Sequence, residues 1–139
     1  MQSYTEQNKE LVRRFNKEFI EQGSVESFHE LISPQTVNHA APAGSPNGPD
    51  SMLQFLQDIL RTGFSEIKVE ILDQVAELDK VTSRKIIYGV HTGTIMGIRP
   101  SGKEIAIHVI DIVRLKDGQY VEHWGMSNIS EIIKEISEN

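Results

Sequence analysis

The chain has 139 residues, a length that suits one folded domain, and we expect a single domain over residues 1–139. Its formal net charge of -6 at pH 7 argues against nucleic-acid binding, which requires a basic surface. The lack of cysteine excludes disulfides, thiolate nucleophiles and cysteine-ligated zinc. The N-terminus has no apolar signal core and no segment reaches membrane-spanning length, so we expect a cytoplasmic protein without a membrane partner.

The first part of the chain has the spacing of amphipathic helices. Apolar residues recur at helical intervals from Leu11 to Ile20, and Gly23 ends this run. Ser24 is a suitable N-cap for a second, short helix that carries apolar residues to Ile32 and ends at Pro34. These patterns predict two consecutive helices.

A proline-rich loop comes next. Three prolines and two glycines lie between residues 41 and 50, which predicts irregular structure. A long loop inside a compact domain is typical of a lid, a binding loop or a mobile segment, and the pattern of residues 41–49 leaves these three alternatives open. Pro49 suits the first position of a third helix, capped by one of the two residues before it, that runs to Gly63.

The second half of the chain changes to the period of a β-strand. Alternation in IKVEILDQVAELD, KVTSRKIIYGVHTGTI, KEIAIHVIDIVRL and QYVEHWGM predicts four antiparallel strands, and NISEIIKEIS predicts a closing helix. Helices followed by strands indicate the α+β class. We expect the sheet to curl around the helices and to leave a pocket between them.

The turn at Asp117-Gly118 decides which side chains of the last two strands share a face. A two-residue turn pairs Val113 with Glu122, whereas a three-residue loop pairs Ile112 with Glu122. Only the second pairing places His108 on the face of Glu122. The pattern alone leaves both registers open.

Two side chains are candidates for acid/base chemistry. A carboxylate at Glu122, beside Trp124 and among isoleucines, would be desolvated, which would raise its pKa toward neutrality. The alternative is a surface glutamate or a partner for Arg114. His108 interrupts the apolar run IAIHVIDI, although a lone histidine in such a strand is more often a satisfied core residue.

The other histidines have weaker patterns. His39 precedes the loop and lies at the pocket rim or bonds the backbone of a turn. His91, in GVHTGT, indicates a strand end or a bulge, and His123 faces solvent or a subunit interface. No spacing of histidines supports a metal site, and no glycine-rich segment opens a helix as a phosphate loop would.

Three segments together resemble a known family. GVHTGTIMGIRPSGKEI and IDIVRLKDGQYVEHW, preceded by NHAAPAGSPNGPDSMLQFL, are similar to the SnoaL-like polyketide cyclase family, within the NTF2-like folds. The resemblance extends from the first helix to Ile136. It implies a cone-shaped α+β barrel, in which a curved antiparallel sheet wraps around the N-terminal helices and encloses an apolar pocket.

The resemblance also implies an activity and a partner. Polyketide cyclases of this family close a ring by intramolecular aldol condensation without a metal or organic cofactor, and such folds commonly form homodimers through the outer sheet face. The family's acid/base aspartate, just before His-Trp, corresponds to Glu122, and its histidine corresponds to His108, which favours the three-residue loop. This chain departs from the family in having Glu for Asp, and Ser127 and Asn128 in a segment where an aspartate often follows His-Trp. These departures concern the substrate and leave the fold unchanged.

We therefore expect an acid/base enzyme that acts on a small apolar carbonyl compound and needs no cofactor. Glu122 and His108 would be catalytic. The alternatives are a non-catalytic binding module, and an epoxide-hydrolase-type enzyme that requires Asp111 and Glu122 to converge with Arg84 or Arg114. The predicted substrate-binding residues are His39, Trp124, Tyr88, Phe15, Phe19, Phe55, Met96 and Arg84.

Overall fold

The computed structural model describes residues 3–138, in which a mixed five-stranded sheet curves around helices. Helix α1, Tyr4–Arg14, continues directly into a π-helical segment, Phe15–Glu21. Gly23 ends this helix in the left-handed region with a φ of 73°, which glycine adopts without strain. Helix α2, Val25–Leu31, follows, with the Ser24 side chain accepting a hydrogen bond from the Ser27 N–H. Both predicted N-terminal helices are confirmed.

The next element was not predicted. Strand β1, Ile32–Asn38, begins where the second helix was expected to continue, and it pairs in parallel with the last strand. Pro34 excludes the helical conformation for the residue before it. The backbone is satisfied instead by pairing in the sheet, and the Thr36 hydroxyl donates to the Tyr120 carbonyl at 2.6 Å.

Residues 39–48 form an irregular segment, here called the covering loop, between β1 and the third helix. Gly48 is the N-cap and Pro49 the first helical residue, as predicted. The helix comprises α3, Pro49–Gln54, a π-helical segment, Phe55–Leu60, and a last turn, α4, Arg61–Gly63.

Four long strands complete the sheet: β2, Phe64–Glu77, β3, Lys80–His91, β4, Glu104–Lys116, and β5, Gln119–Ser127. They form an antiparallel meander, and the strand order is β1-β5-β4-β3-β2. Helix α5, Ile129–Ser137, closes the described chain. The predicted α+β cone is confirmed, with an open sheet whose edges are β1 and β2. No helix within residues 3–138 is long and apolar enough to cross a membrane.

The hairpin between β4 and β5 follows neither predicted register. Asp117 and Gly118 have φ values of 53° and 78° and form a two-residue turn with the positive φ angles of type I′. Val121 is then an extra, unpaired residue in β5, so Glu122 pairs with Arg114. This β-bulge shifts the register by one residue after the turn has closed.

The bulge also changes which residues share a face. Tyr120 lies on the inner face with His123 and Gly125, whereas Glu122 and Trp124 lie on the outer face. The inner face packs on the helices to form the core, which includes Val12, Phe15, Phe19, Phe28, Leu56, Leu60, Ile107, Val113 and Leu115.

An ion pair within the first helix is hydrogen-bonded to the second helix. The Arg14 guanidinium contacts both oxygens of Glu18, at 2.9 and 3.0 Å, and the Ser27 hydroxyl donates to Glu18 at 2.7 Å. These hydrogen bonds lower the pKa of Glu18 to about 2.

We predict that Glu18→Gln lowers the free energy of unfolding near neutral pH by about 0.5–1 kcal/mol, because the pair is partly screened by solvent. The pKa of Glu18 falls on folding from its ordinary value of 4.5 to about 2, so this stabilisation is present above pH 4.5 and is lost as the pH falls toward 2. Urea titrations across this range test it. Glu104→Gln, at the exposed start of β4, is the control, and a wild-type advantage that persists at pH 2 would contradict the prediction.

Candidate active site

A cavity of about 250 Å³ lies between the inner face of the sheet and the helices. Its size is just below the usual range of ligand pockets, about 300–1,000 Å³, so it suits a small ligand. The covering loop closes one side with Ala40, Ala41 and Pro42. The remaining apolar wall comes from helices and strands: Phe15, Phe19, Ile20, Met52, Phe55, Ile87, Ile107, Val109 and Ile129.

Opposite charges meet at one end of this apolar cavity. The Lys85 ammonium on β3 lies 3.1 Å from Asp111 Oδ2 on β4, and both residues are only 5% exposed. Lys85 also donates to Asn16 Oδ1 at 2.6 Å, from the helical segment across the core. Alternation brings the two charges inward, since Lys85 and Asp111 occupy inner-face positions of their strands. A buried charge requires a partner of opposite charge, and Lys85 and Asp111 are each other's partner.

Asp111 remains ionised in spite of its burial. Desolvation raises the pKa of its carboxyl, but the positive charge of Lys85 and the contact with His123 more than offset that effect, so the pKa is lowered. Burial first, and then the same carboxylate, raise the pKa of the Tyr120 hydroxyl well above its ordinary value. The polar end of the cavity therefore contains an ionised carboxylate.

His123 is the third ionisable group of this cluster. Its Nε2 lies 3.5 Å from Asp111 Oδ2, and its Nδ1 lies 2.8 Å from Asn38 Oδ1. Both ring nitrogens thus face oxygen atoms, Nδ1 at hydrogen-bonding distance and Nε2 at the longer distance of an ion pair. The neutral ring keeps one proton and presents the other nitrogen as an acceptor, so His123 is built to exchange a proton at the cavity wall.

A glycine leaves space beside this cluster. Gly125 pairs with Asp111 across the two strands and lines the cavity. A methyl group at Gly125 would lie 3.2 Å from the His123 ring and 3.5 Å from Asp111 Cβ. Asp111 Oδ1 is buried and has no hydrogen-bond partner among residues 3–138. One oxygen of the carboxylate thus binds Lys85 and His123, and the other is unengaged by the protein.

The predicted catalytic residues do not meet in this cavity. Glu122 lies on the outer face, where its carboxylate accepts hydrogen bonds from Arg114 Nε and contacts His39 Nε2, both at 2.8 Å. Arg114 first, and then His39, lower its pKa, so the expectation of a raised pKa is wrong. The outcome agrees with the alternative that Glu122 is a partner for Arg114.

His108 also lies on the outer face and is exposed. Its backbone N–H donates to Asn128 Oδ1 at 2.9 Å, at the opposite end of β4 from Arg114 and Glu122. The expectation that His108 and Glu122 form one site is therefore wrong, because they share a face but lie six residues apart along the strand pair. Neither side chain lines the cavity between the sheet and the helices. His108 lines a separate, more open pocket with Arg84 and Asn128, which does not include Glu122, and the two catalytic roles stay predictions.

Most of the predicted substrate-binding residues also lie outside the cavity. Trp124 stacks on His39 on the outer face, with ring centroids 4.9 Å apart. The Tyr88 hydroxyl donates to Glu70 and Arg84 pairs with Asp73, both on the sheet surface. Met96 is 69% exposed in the loop after β3. Of the predicted set, three line the cavity, and their binding role stays a prediction: Phe15, Phe19 and Phe55.

The facing of the strands also excludes the epoxide-hydrolase alternative. Asp111 points inward, whereas Glu122, Arg84 and Arg114 are on the outer face, so the required carboxylates and arginine do not converge. His91 lies at the end of β3, as its pattern indicated, and is fully buried with its Nδ1 bonded to Ser101.

Sequence reasoning missed Lys85, Asn38 and the role of His123. A signal was present, because Lys85 and Asp111 each interrupt an alternating apolar set on one face of a strand. The set that contains His108 is equally apolar, however, so alternation could not say which face the helices cover. The bulge at Val121, which turns His123 inward, has no clear mark in the sequence.

Comparisons with known proteins agree on the fold. The sequence profile of SnoaL-like polyketide cyclases matches residues 10–136. IdmH from Streptomyces antibioticus, provisionally assigned as a polyketide cyclase, is 25% identical, with a TM-score of 0.83 over 95% of this chain and 99% of its own. No curated protein sequence matches.

Two further solved structures have the same fold. A provisionally assigned SnoaL-like polyketide cyclase from Jannaschia sp. CCS1 is 21% identical, with a TM-score of 0.85 over 100% of this chain and 98% of its own. AclR from Streptomyces galilaeus, provisionally assigned as a hydroxylase, is 22% identical, with a TM-score of 0.82 over 95% of this chain and 96% of its own. Similar structures thus bear different assignments, and the fold alone does not determine the reaction.

We predict that Lys85→Met destabilises the protein by about 3–5 kcal/mol, because it leaves the Asp111 carboxylate buried without its cation. The double variant Lys85→Met/Asp111→Leu should recover most of this loss, since no buried charge then remains. Urea unfolding of the single and double variants measures both effects.

The exposed Arg84–Asp73 pair supplies the control for this prediction. Arg84→Met should cost less than about 1 kcal/mol, because water screens and solvates that pair. Equal costs for Lys85→Met and Arg84→Met would show that the buried pair has no special role in stability.

Proposed function

Because the chain belongs to the SnoaL-like polyketide cyclase family, we propose that it is an acid/base enzyme that moves a proton next to a carbonyl group of a small apolar compound. One observation carries this proposal: Lys85, Asp111 and His123 form the charged end of an otherwise apolar cavity. Apolar walls exclude water and strengthen the electrostatic effect of these groups on a bound ligand.

In the proposed reaction His123 transfers the proton. The C–H bond beside the ligand carbonyl breaks, its proton goes to His123 Nε2, and its electron pair forms the carbon–carbon double bond of an enolate. The Asp111 carboxylate, 3.5 Å from Nε2, stabilises the imidazolium that results. The Lys85 ammonium supplies positive charge for the enolate oxygen.

The enolate then has two outcomes in this scheme. Its carbon attacks a second carbonyl of the same molecule, a ring closes, and His123 returns the proton to the new alkoxide. Alternatively the proton returns to another carbon and the product is an isomer. Ketosteroid isomerase uses a carboxylate as the base in its apolar cavity. The present site differs, because the lowered pKa of Asp111 makes its carboxylate a poorer base, and the proposed proton acceptor is the His123 ring.

The volume of the cavity limits the size of the substrate. An apolar cavity of about 150 Å³ accommodates benzene. A volume of about 250 Å³ therefore favours a compound with one or two rings, or an open chain folded to that size. The polar end at Asp111 and the aromatic wall at Phe15, Phe19 and Phe55 would orient the carbonyl toward the charges.

The predicted homodimer and cytoplasmic location remain proposals. Exposed apolar side chains on the outer face support the dimer: Ile110 is 54% exposed and Met126 82% exposed, and they pair with each other across β4 and β5. A second copy would cover this surface.

We predict that Met126→Lys converts a dimer into a monomer, because a charge at the centre of the apolar patch would be desolvated on association. Sedimentation velocity measures the change. Leu78→Lys, which is 80% exposed in the β2–β3 turn, is the matched control and should leave the mass unchanged. A wild-type monomer would contradict the proposed dimer.

We predict that His123→Gln slows proton exchange by about 10²–10⁴-fold, the usual contribution of a general acid/base. Exchange of α-protons for deuterium, followed by NMR in D2O with a panel of aryl ketones and diketones, detects proton removal whatever product the enzyme forms. His29→Gln, on the exposed side of α2, is the histidine control.

Glu122→Gln distinguishes the two candidate sites in the same assay. The cavity site predicts nearly wild-type exchange for this variant, because Glu122 contacts only Arg114 and His39 on the outer face. Loss of exchange in Glu122→Gln, together with full exchange in His123→Gln, would overturn the proposed function.

A further inference from the structure

We infer that Asn38 is a positioning residue that holds the proton of neutral His123 on Nδ1 and makes this tautomer depend on closure of the covering loop. The inference deepens the proposed function, since it assigns the proton-transferring atom of His123. The state of the ring can be observed directly, however, whether or not the protein is an enzyme.

A chain of hydrogen bonds fixes the orientation of the Asn38 amide. The Gly48 carbonyl can only accept, so the Ser51 hydroxyl, 2.6 Å away, donates to it. The Ser51 oxygen is then left to accept from Asn38 Nδ2, at 3.0 Å. The Ala40 N–H gives a second, independent constraint, because it donates to Asn38 Oδ1 at 3.1 Å. Both contacts place the amide oxygen, not its nitrogen, toward His123.

This orientation decides which nitrogen of His123 carries the proton. Asn38 Oδ1 lies 2.8 Å from His123 Nδ1, so Nδ1 must be the donor. With the proton on Nε2 instead, two acceptors would face each other at that distance. Asp111 would favour a proton on Nε2, but its effect is weaker, because its Oδ2 lies 3.5 Å from Nε2, beyond the usual length of a hydrogen bond. Neutral His123 therefore presents the lone pair of Nε2.

The same residue connects the ends of the covering loop. The Asn38 N–H donates to the Asn47 carbonyl at 2.7 Å, and the His39 N–H donates to the His123 carbonyl at 2.8 Å. Asn38 thus pairs with His123 across β1 and β5 and also joins the two ends of the loop. Opening of the loop would remove the contacts of Ala40 and Gly48 that orient the amide. Closure of the covering loop over a ligand would therefore also fix the proton of His123 on Nδ1 and leave Nε2 free to act as the base.

The experiment measures the His123 tautomer by ¹⁵N chemical shifts, at a pH where the ring is neutral, with His123→Gln to assign its signals. We expect Nδ1–H in the wild type. Asn38→Leu keeps the size of the side chain and removes the acceptor, so the proton should move to Nε2 and bond Asp111. Proton exchange should then fall by about 10²-fold or more with little change in KM, because a wrong tautomer mainly impairs the chemical step.

Serine variants provide the second test, since Asn38→Leu removes several contacts at once. Ser51→Ala should give a mixture of tautomers, and Ser51→Thr, which keeps the hydroxyl, should restore Nδ1–H. Ser45→Ala, in the covering loop but outside this network, is the control and should leave the wild-type tautomer. A wild-type Nε2–H ring, or an unchanged tautomer in both Asn38→Leu and Ser51→Ala, would overturn the inference. If the tautomer responds as expected but His123→Gln exchanges protons normally, the inference stands and the proposed function fails.

Discussion

The Lys85 ammonium and the Asp111 carboxylate lie 3.1 Å apart in an interior formed mainly by apolar side chains. Neither charge is tolerable there alone, so each strand must present its ionic residue inward at the same level of the sheet. That condition determines the register between β3 and β4 near the cavity. It also explains the lowered pKa of Asp111, because the nearby cation and His123 offset the cost of burial.

The bulge at Val121 connects this pair to the third member of the site. In a regular hairpin the register set by the Asp117-Gly118 turn would continue along both strands. The bulge shifts this register by one residue. His123 therefore lies on the inner face, near Asp111 and next to Asn38 of the parallel strand β1. The outer face receives Glu122 and Trp124, which contact His39, the first residue of the covering loop. One extra residue thus separates a polar cluster on the surface from a polar cluster in the cavity.

The sequence predicted the fold far better than the site. Helical and strand periods, the cap at Ser24, the proline after Gly48 and the resemblance to the family all correspond to elements of the structure. Strand β1 was missed because its pairing partner is more than 80 residues away in the chain, and local signals there are dominated by Pro34.

The site was misplaced for a different reason. Both faces of β4 are apolar, so the alternation pattern is consistent with either His108 or Asp111 facing the pocket. The packing of the helices against one face of the sheet places Asp111 there. The correspondence of Glu122 to the family's aspartate depended on sequence position alone. The β-bulge at Val121 changes which face of the sheet the residues after it occupy, and this places Glu122 on the outer face and His123 on the inner face.

The central claim is that a carbonyl ligand binds at the Lys85–Asp111–His123 end of the cavity. A crystal structure of the protein with acetophenone, an aryl ketone small enough for the cavity, tests it most directly. We predict that the ketone oxygen lies within hydrogen-bonding distance of Lys85 Nζ and the α-carbon lies beside His123 Nε2, with the ring against Phe15, Phe19 and Phe55. A ketone bound instead on the outer face beside Glu122 and Trp124, with the cavity left unoccupied, would contradict it.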